Sequence, residues 1–330
     1  MKISKVKRHY PNIKKNISSL DFENVEDFHS HKKFVGTEVF WQADLKSTGS
    51  DLGEKAAHDL LEGIQTSQID FLIFSSLTLD YATPTTSSVL HKKLGLKHSC
   101  GTMDLPYGCA GFPMGLMVAQ GIFQTTSAHY ILLVFGEVPT RAVHPEDLGL
   151  KFLFGDAGVA VLLERSESKL SFVFGNDGEG FNYLNVPRGG ARNPFDSDFL
   201  NANAPFPQLN QFGQIHMDGL GIMKMTLKHI PSAVNELLKN NNMSQDDIQF
   251  FIFHHASNVV LETLQRKLSI PSERMVNYMS EGGNTVSCTI PIAWLKATDE
   301  KRFSEGDNIL LMGFGVGFSW CGTILKYSKA

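Results

Sequence analysis

The sequence predicts a layered α/β fold built from two similar halves. Short apolar runs alternate with stretches of helical spacing, and the order of elements along residues 67–164 recurs along residues 246–325. Each stretch contains a hydrophobic strand, an amphipathic helix, a small-residue turn into a second helix, and a glycine-punctuated hairpin. Such alternation is typical of α/β layer structures. We therefore expect an internal duplication whose halves pack face to face.

Composition narrows the class of protein. The 330 residues can form one large domain or two ordinary ones, and 42% hydrophobic with 19% charged residues indicates a globular chain. A net charge of −4 gives no electrostatic case for nucleic acid or an anionic membrane. The basic start is not followed by an apolar run, and no stretch has the apolar length of a membrane span. Four cysteines whose spacing suits neither zinc nor a disulfide framework indicate a cytoplasmic protein with reduced thiols.

Local patterns predict the elements of the first half, after about 50 less regular residues. Apolar residues at helical spacing follow Asp51, which can cap that helix. Gly95 ends a second helix. The remaining predictions are a strand at FLIFSS (71–76), a strand at CGTMDL (100–105), a helix over 108–124 and a strand at YILLVFGE (130–137). FGDAGVAVLLERS (154–166) and LSFVFGNDG (170–178) are expected to form an antiparallel pair.

An irregular segment separates the halves. We divide the chain into an N-terminal half, 1–170, an insert, 171–216, and a C-terminal half, 217–330. Residues 176–216 are rich in Asn, Pro, Gly and Phe, and a loop of this length inside a domain is usually a lid or a binding loop. A long amphipathic helix is predicted after Met217.

Three positions can carry chemistry. Cys109 lies where a strand passes through a glycine turn into a helix, and a helix N-terminus favours the thiolate and supplies free N–H groups for an oxyanion. The alternative is an inert cysteine of the core. His254 and His255 both follow the strand FFIF, and nothing local separates them. Asn284 lies in the turn EGGNTVS, where an asparagine is by itself a plain helix cap.

The duplication favours one shared site. Superposing the copies about a pseudo-twofold axis makes the turns of Cys109 and Asn284 face each other, with His254 between them. A thiol, an imidazole and an amide then meet from three distant segments. Cysteine proteases use the same three groups, but their local signatures are absent.

The motifs resemble those of the thiolase superfamily, and within it the beta-ketoacyl-acyl carrier protein synthase III (KAS III) group. YGCAGF is similar to the nucleophile motif, FGDAGVAVLL to an FGDGAGAVVL hairpin, GGNTVSCTIPIAW to a GNTSAAS-P segment, and GFGVGFSWCG to a C-terminal GGGFTWG. The resemblance covers the chain from about residue 51 onward. It implies a five-layered αβαβα fold from two βαβαβαββ halves, and a homodimer.

Residue by residue, the resemblance implies a role for five positions. Cys109 matches the acyl-accepting nucleophile, His254 the His of an HQAN segment that here reads HHAS, and Asn284 the asparagine of the GN(T) motif. Gly317 matches the glycine whose N–H completes the oxyanion hole with that of Cys109. Lys224 matches a lysine that helps to dock the carrier protein.

The implied activity is that of a 3-oxoacyl-[acyl carrier protein] synthase III-like acyltransferase of fatty acid or secondary-metabolite biosynthesis. An acyl group loaded on Cys109 condenses with a malonyl or beta-ketoacyl thioester on acyl carrier protein, with CO₂ released from malonyl. No metal or redox cofactor is expected. The alternatives are acyl transfer from Cys109 to an O or N acceptor, and a non-enzymatic subunit that binds a carrier protein.

Some positions depart from the family pattern. Leu148 stands near the place of an arginine that holds the CoA adenine, and Val259 replaces the arginine after HQAN. An N-terminal tryptophan and arginine are also missing. We therefore expect either an acyl donor delivered on a carrier protein or a CoA bound by other contacts.

Overall fold

Two mixed β-sheets organise the chain, in a computed structural model that describes residues 1–194 and 214–329. The strands are β1 Lys2–His9, β2 Ile13–Asn16, β3 Val39–Gln42, β4 Phe71–Ser75, β5 Gly101–Leu105, β6 Tyr130–Glu137, β7 Ala157–Glu164, β8 Phe172–Asn176, β9 Leu184–Asn185, β10 His216–Met217, β11 Phe250–Phe253, β12 Asn308–Gly315 and β13 Ser319–Lys326. The α-helices are α1 Val25–Phe34, α2 Gly49–Leu61, α3 Thr86–Lys93, α4 Gly111–Thr125, α5 Leu148–Lys151, α6 Gly219–Asn240, α7 Asn258–Lys267 and α8 Thr289–Asp299.

The two sheets repeat one arrangement. The first has the order β1-β7-β6-β4-β5, in which β4 is parallel to β5 and β6 while β7 is antiparallel to β6 and β1. The second has the order β11-β12-β13-β8, in which β11 and β12 are parallel and β13 is antiparallel to β12 and β8. Strands β1, β7, β6 and β4 therefore correspond to β8, β13, β12 and β11, as the predicted duplication requires.

Helices form three layers around the sheets. Helices α2 and α3 pack on the outer face of the first sheet, and α6 packs on the outer face of the second and contacts α7. Helices α4 and α8 lie between the sheets, where each contacts strands of both. This confirms the predicted five-layered αβαβα fold and puts the starts of α4 and α8 at the centre of the molecule.

One predicted strand pairing is wrong. Strand β7 pairs with β6 and β1, whereas β8 pairs with β13 of the second sheet. The two strands are neighbours in sequence, but the chain crosses from one sheet to the other between them. The range Phe172–Asn176, which the sequence division puts in the insert 171–216, thus supplies a strand of the C-terminal sheet. The rest of that division stays a prediction, and residues 195–213 of the insert lie outside the described part.

Local signals explain where several helices begin and end. Thr48 caps α2 and forms a capping box with Asp51, so Asp51 supports the start of this helix from its first turn. Gly95 takes a φ of +60° directly after α3, as the sequence predicts for a helix stop. Asp218 caps α6 by accepting a hydrogen bond from the backbone N–H of Gly221. None of the described helices combines the length and the apolarity that crossing a bilayer would require.

The carboxylate of Glu137 joins the two halves inside the core. It ends β6 and is 1% exposed. Its Oε1 accepts a hydrogen bond of 2.7 Å from the hydroxyl of Ser287, in the second half. Its Oε2 lies 3.2 Å from the Ser76 hydroxyl, 3.3 Å from the Thr78 hydroxyl and 3.3 Å from the Leu77 N–H, all in the loop after β4. Burial raises its pKa to about 7 although these hydrogen bonds oppose the shift.

The raised pKa of Glu137 predicts a pH-dependent cost of folding. An unfolded glutamate ionises near pH 4.5, whereas the folded carboxyl stays protonated up to about pH 7, so the free energy of unfolding falls by about 3 kcal/mol in total as the pH rises through this range. The variant Glu137→Gln has no such proton to lose. We expect its free energy of unfolding, minus that of the wild type, to rise by about 3 kcal/mol from pH 4.5 to 8 in urea titrations.

Other buried groups titrate equally in both proteins and cancel from this difference. Glu236→Gln, an exposed site on α6, is the matched control, and its curve should stay parallel to that of the wild type. If the free energy of unfolding of Glu137→Gln minus that of the wild type does not change with pH, the raised pKa of Glu137 is contradicted.

Candidate active site

The carboxyl ends of the parallel strands meet at one deep cavity. Its volume is about 1200 Å³, and its wall contains Cys109, His254, Asn284, Glu137 and the turn after β12. Ligand sites of open α/β sheets lie at this edge of the strands. The structure thus brings together the three residues that the sequence places at one site.

Cys109 sits in the turn directly before α4 and is 6% exposed. Burial raises the pKa of its thiol to about 12, while hydrogen bonds from the backbone N–H groups of Val316 and of Cys109 itself act in the opposite direction. The helix N-terminus was expected to favour the thiolate, but burial outweighs it. The side chain of Cys109 is therefore a neutral thiol at rest, beside the backbone of the turn 315–317.

The turn Gly315–Gly317 approaches the thiol closely. A Cβ added at Gly315 would lie 2.7 Å from Sγ of Cys109, whereas one added at Gly317 would meet Asn176 and Ser319. The N–H that reaches the sulfur belongs to Val316. In this turn it is therefore the N–H of Val316, rather than that of the predicted Gly317, that acts on the thiol, and the oxyanion role of Gly317 stays a prediction.

His254 follows β11 and is 1% exposed. Its Nδ1 lies 2.8 Å from the Thr289 hydroxyl, which fixes the ring and leaves Nε2 as the nitrogen for a substrate. Phe314 packs edge-on against the ring at 5.9 Å. Burial, with a smaller contribution from His255, lowers the pKa of His254 to about 3, so the imidazole is neutral near pH 7.

His255 has a structural role. Its Nδ1 lies 2.9 Å from the carbonyl oxygen of Phe253, and its Nε2 accepts a hydrogen bond of 3.0 Å from the N–H of Tyr278. Both nitrogens are thus engaged with the backbone, and His255 is not part of the cavity wall. The geometry distinguishes the two histidines in the way that the family resemblance implied.

The side chain of Asn284 is oriented by its backbone neighbours. Its Oδ1 accepts a hydrogen bond of 2.9 Å from the N–H of Val286, so the other terminal atom is the NH₂ group. Nδ2 donates to the carbonyl of Ala256 at 3.3 Å and carries a second hydrogen. Asn284 lines the cavity, and this second hydrogen can serve a bound substrate.

The turn of Asn284 is attached to the first half of the chain. The N–H of Asn284 donates to the carbonyl of Leu153 at 2.8 Å, and its own carbonyl accepts from Gly155 at 3.1 Å. A Cβ at Gly283 would come within 2.6 Å of the Leu153 oxygen, so a glycine is required there. Val286 adopts a φ of +54°, which is rare for a β-branched residue and marks a strained turn.

The remaining predicted positions lie near the site or outside it. Lys224 is exposed on α6, beside Met223 of the cavity wall. Val259 lies in that wall and Leu148 is partly buried in α5. The other three cysteines are buried and free, and none of them lines the cavity. Among the described residues no three His, Cys, Asp or Glu side chains cluster as a metal site requires.

Sequence reasoning missed Glu137, Thr289 and Val316. Glu137 is the polar end of a buried strand, at the same sheet edge as the nucleophile, and this position could have signalled it. Thr289 is the first residue of α8, where a cap is the ordinary interpretation. The contact of Val316 depends on a backbone orientation that no sequence pattern specifies.

Comparisons with known proteins agree with this geometry. A model described as 3-oxoacyl-[acyl-carrier-protein (ACP)] synthase III matches residues 103–178, and one described as the C terminal of that enzyme matches residues 238–327. Together they cover about half of the chain.

Individual relatives extend the match over most of the chain. A beta-ketoacyl-[acyl-carrier-protein] synthase III of Alkalilimnicola ehrlichii is 33% identical, over 85% of this chain and 84% of its own length. Synthase III 2 of Staphylococcus epidermidis is 30% identical, over 93% and 95% respectively. A solved 3-oxoacyl-(acyl-carrier protein) synthase from Burkholderia xenovorans LB400 superposes with a TM-score of 0.87 and 30% identity, covering 99% of this chain and 93% of the other. The chain belongs to the 3-oxoacyl-[acyl-carrier-protein] synthase III family of condensing enzymes.

Proposed function

We propose that the chain loads an acyl group on Cys109 and condenses it with a malonyl thioester on acyl carrier protein, releasing CO₂. The observation that carries this is the convergence of Cys109, His254 and Asn284 on one cavity whose wall is otherwise mostly apolar. A nucleophile, an oxyanion site and two hydrogen-bond donors for an enolate are the groups that this reaction requires.

Loading is a thioester exchange. The sulfur of Cys109 attacks the acyl carbonyl carbon, and the N–H groups of Cys109 and Val316 stabilise the tetrahedral oxyanion. The carbon–sulfur bond to the donor then breaks. The thiol proton ends on the departing thiol, so the exchange is balanced and leaves acyl-Cys109.

Condensation uses the other two residues. The thioester carbonyl of the malonyl group accepts hydrogen bonds from Nε2 of His254 and Nδ2 of Asn284, so that loss of CO₂ leaves an enolate. No lysine or arginine among the described residues lines the cavity, and an unpaired carboxylate there is destabilised relative to CO₂. The enolate carbon attacks acyl-Cys109, and the released thiolate takes up one proton. Neither step needs a metal or a redox cofactor.

Two features outside the cavity support proposed partners. Strand β5 is one edge of the first sheet, and Tyr81 and Met103 near that edge are exposed. We infer that a second copy of the chain covers this edge as a homodimer. Lys224 lies exposed beside the wall residue Met223 and is proposed as a contact for the acidic surface of a carrier protein.

The nucleophile can be tested by intact mass. Incubation with acyl thioesters of pantetheine or carrier protein should add one acyl mass, on a peptide that contains Cys109. Cys109→Ala should gain none, while the control Cys100→Ala, another buried cysteine outside the cavity, should be acylated like the wild type. A wild type that stays unmodified with every donor would overturn the assignment.

Asn284→Ala separates condensation from simple acyl transfer. Its acylation rate should stay within about threefold of the wild type, while CO₂ release from malonyl-carrier protein falls at least a hundredfold, because one enolate donor is lost. Radiolabelled CO₂ and intact mass report the two steps independently. Decarboxylation at the wild-type rate would instead favour acyl transfer to an O or N acceptor.

Thr289 is expected to act as a positioning residue. For Nε2 of His254 to carry the hydrogen, the Thr289 hydroxyl must donate its single hydrogen to Nδ1, at 2.8 Å, rather than to the carbonyl of Val286, at 3.2 Å. Thr289→Val removes this donor and should slow decarboxylation about tenfold, with little effect on acylation. Thr289→Ser keeps the hydroxyl and should restore the rate. Equal rates for the Val and Ser variants would rule out control of the tautomer.

A further inference from the structure

The wall of the cavity contains a large excess of apolar side chains over what a small substrate needs. They come from both halves of the chain and from the described ends of the insert, and include Leu77, Leu153, Leu184, Ile215, Val259 and Phe314. The rim residues Phe34, Phe181 and Leu220 are exposed. An apolar surface therefore runs from the outside to Cys109.

The polar side chains of the wall are mostly committed to local hydrogen bonds. Glu137 binds Ser287, Asp147 accepts from Leu150 at 3.0 Å, and Asp218 accepts from Gly221 at 2.9 Å. Asn185 donates to the carbonyl of Phe181 at 3.3 Å. All three charged side chains of the described wall are acidic. A polar or anionic group on the acyl chain would thus lose water without gaining a partner.

The volume far exceeds a two-carbon acyl group. At roughly 30 Å³ for each methyl-sized group, an acetyl group takes about 60 Å³ and a pantetheine arm about 600 Å³. The cavity of about 1200 Å³ then keeps space for a further chain. At the same density the remaining space of roughly 600 Å³ holds at most about 20 carbons, so a chain of about 8 to 16 carbons fits within it.

We propose that the acyl group received by Cys109 is an unsubstituted hydrocarbon chain of about 8 to 16 carbons, rather than acetyl or a polar acyl group. This rests on the proposed loading of Cys109. The apolar wall recognises the chain by its length. Each methylene that it buries should increase the loading efficiency about fourfold until the space is filled.

The test measures acylation of the full chain with saturated acyl-pantetheine thioesters of 2, 4, 8, 12 and 16 carbons, by intact mass against time. Pantetheine carries no nucleotide, so the profile reports the acyl chain alone. We expect kcat/KM to rise at least a hundredfold from the two-carbon to the best long donor. An octanoyl donor bearing a terminal carboxylate should load at least tenfold more slowly than octanoyl.

A matched pair of variants tests whether the preference for long acyl chains arises at the cavity wall. Leu184 and Leu227 are both partly buried and pack against the same core, but only Leu184 lines the cavity. Leu184→Trp should lose loading of the 12-carbon donor by at least tenfold while keeping the 4-carbon donor. Leu227→Trp should keep the wild-type profile, which also controls for folding.

The outcomes separate this inference from the proposed function. If acetyl loads as fast as the long donors, the chain-length inference fails while the role of Cys109 stands. The same inference fails if a folded Leu184→Trp retains the wild-type profile. If no donor of any length acylates Cys109, the proposed function itself fails.

Discussion

The site depends on the close approach of strand β12 to the turn that carries Cys109. A Cβ at Gly313 would lie 2.7 Å from both Cα of Ala110 and the carbonyl oxygen of Cys109, and a Cβ at Gly315 would lie 2.7 Å from Sγ. Real Cβ atoms do not make such contacts. Glycine at both positions therefore allows strand β12 of the second half to contact the residues directly before helix α4 of the first half. This contact brings the Val316 N–H to the sulfur. Because β12 also pairs with β11, it sets the position of His254 relative to Cys109.

Hydrogen bonds from the first half of the chain fix the position of the Asn284 turn. The backbone of Asn284 is bonded to residues 153 and 155, and Glu137 holds Ser287 against the loop after β4. The left-handed conformation of Val286 persists because these contacts determine it from several directions. Backbone strain and a buried carboxyl both cost stability, and both occur beside the Asn284 turn. The strained backbone of Val286 and the buried carboxyl of Glu137 are thus tolerated next to the site.

Sequence patterns were sufficient for most elements and for the prediction that Cys109, His254 and Asn284 lie at one cavity. They failed where the answer depends on three-dimensional neighbours. The strands β7 and β8 look like a hairpin because adjacency and alternation do not reveal that the chain changes sheets between them. The choice between Val316 and Gly317 depends on which way one peptide group points. The thiol of Cys109 was expected to ionise easily because a helix start is visible in the sequence, whereas the burial that opposes ionisation is a property of the assembled layers.

That burial links reactivity to recognition. In the resting site the thiol and the imidazole are both neutral, since burial raises the pKa of Cys109 and lowers that of His254. The proposed catalysis therefore relies on oriented hydrogen-bond donors, and these act most strongly where water is excluded. An apolar acyl chain that fills the cavity excludes water and adds no competing polar group. In the proposed loading step, the enclosure that keeps the free thiol protonated thus favours donors whose chain completes the enclosure, and chain length then affects the chemical step as well as binding.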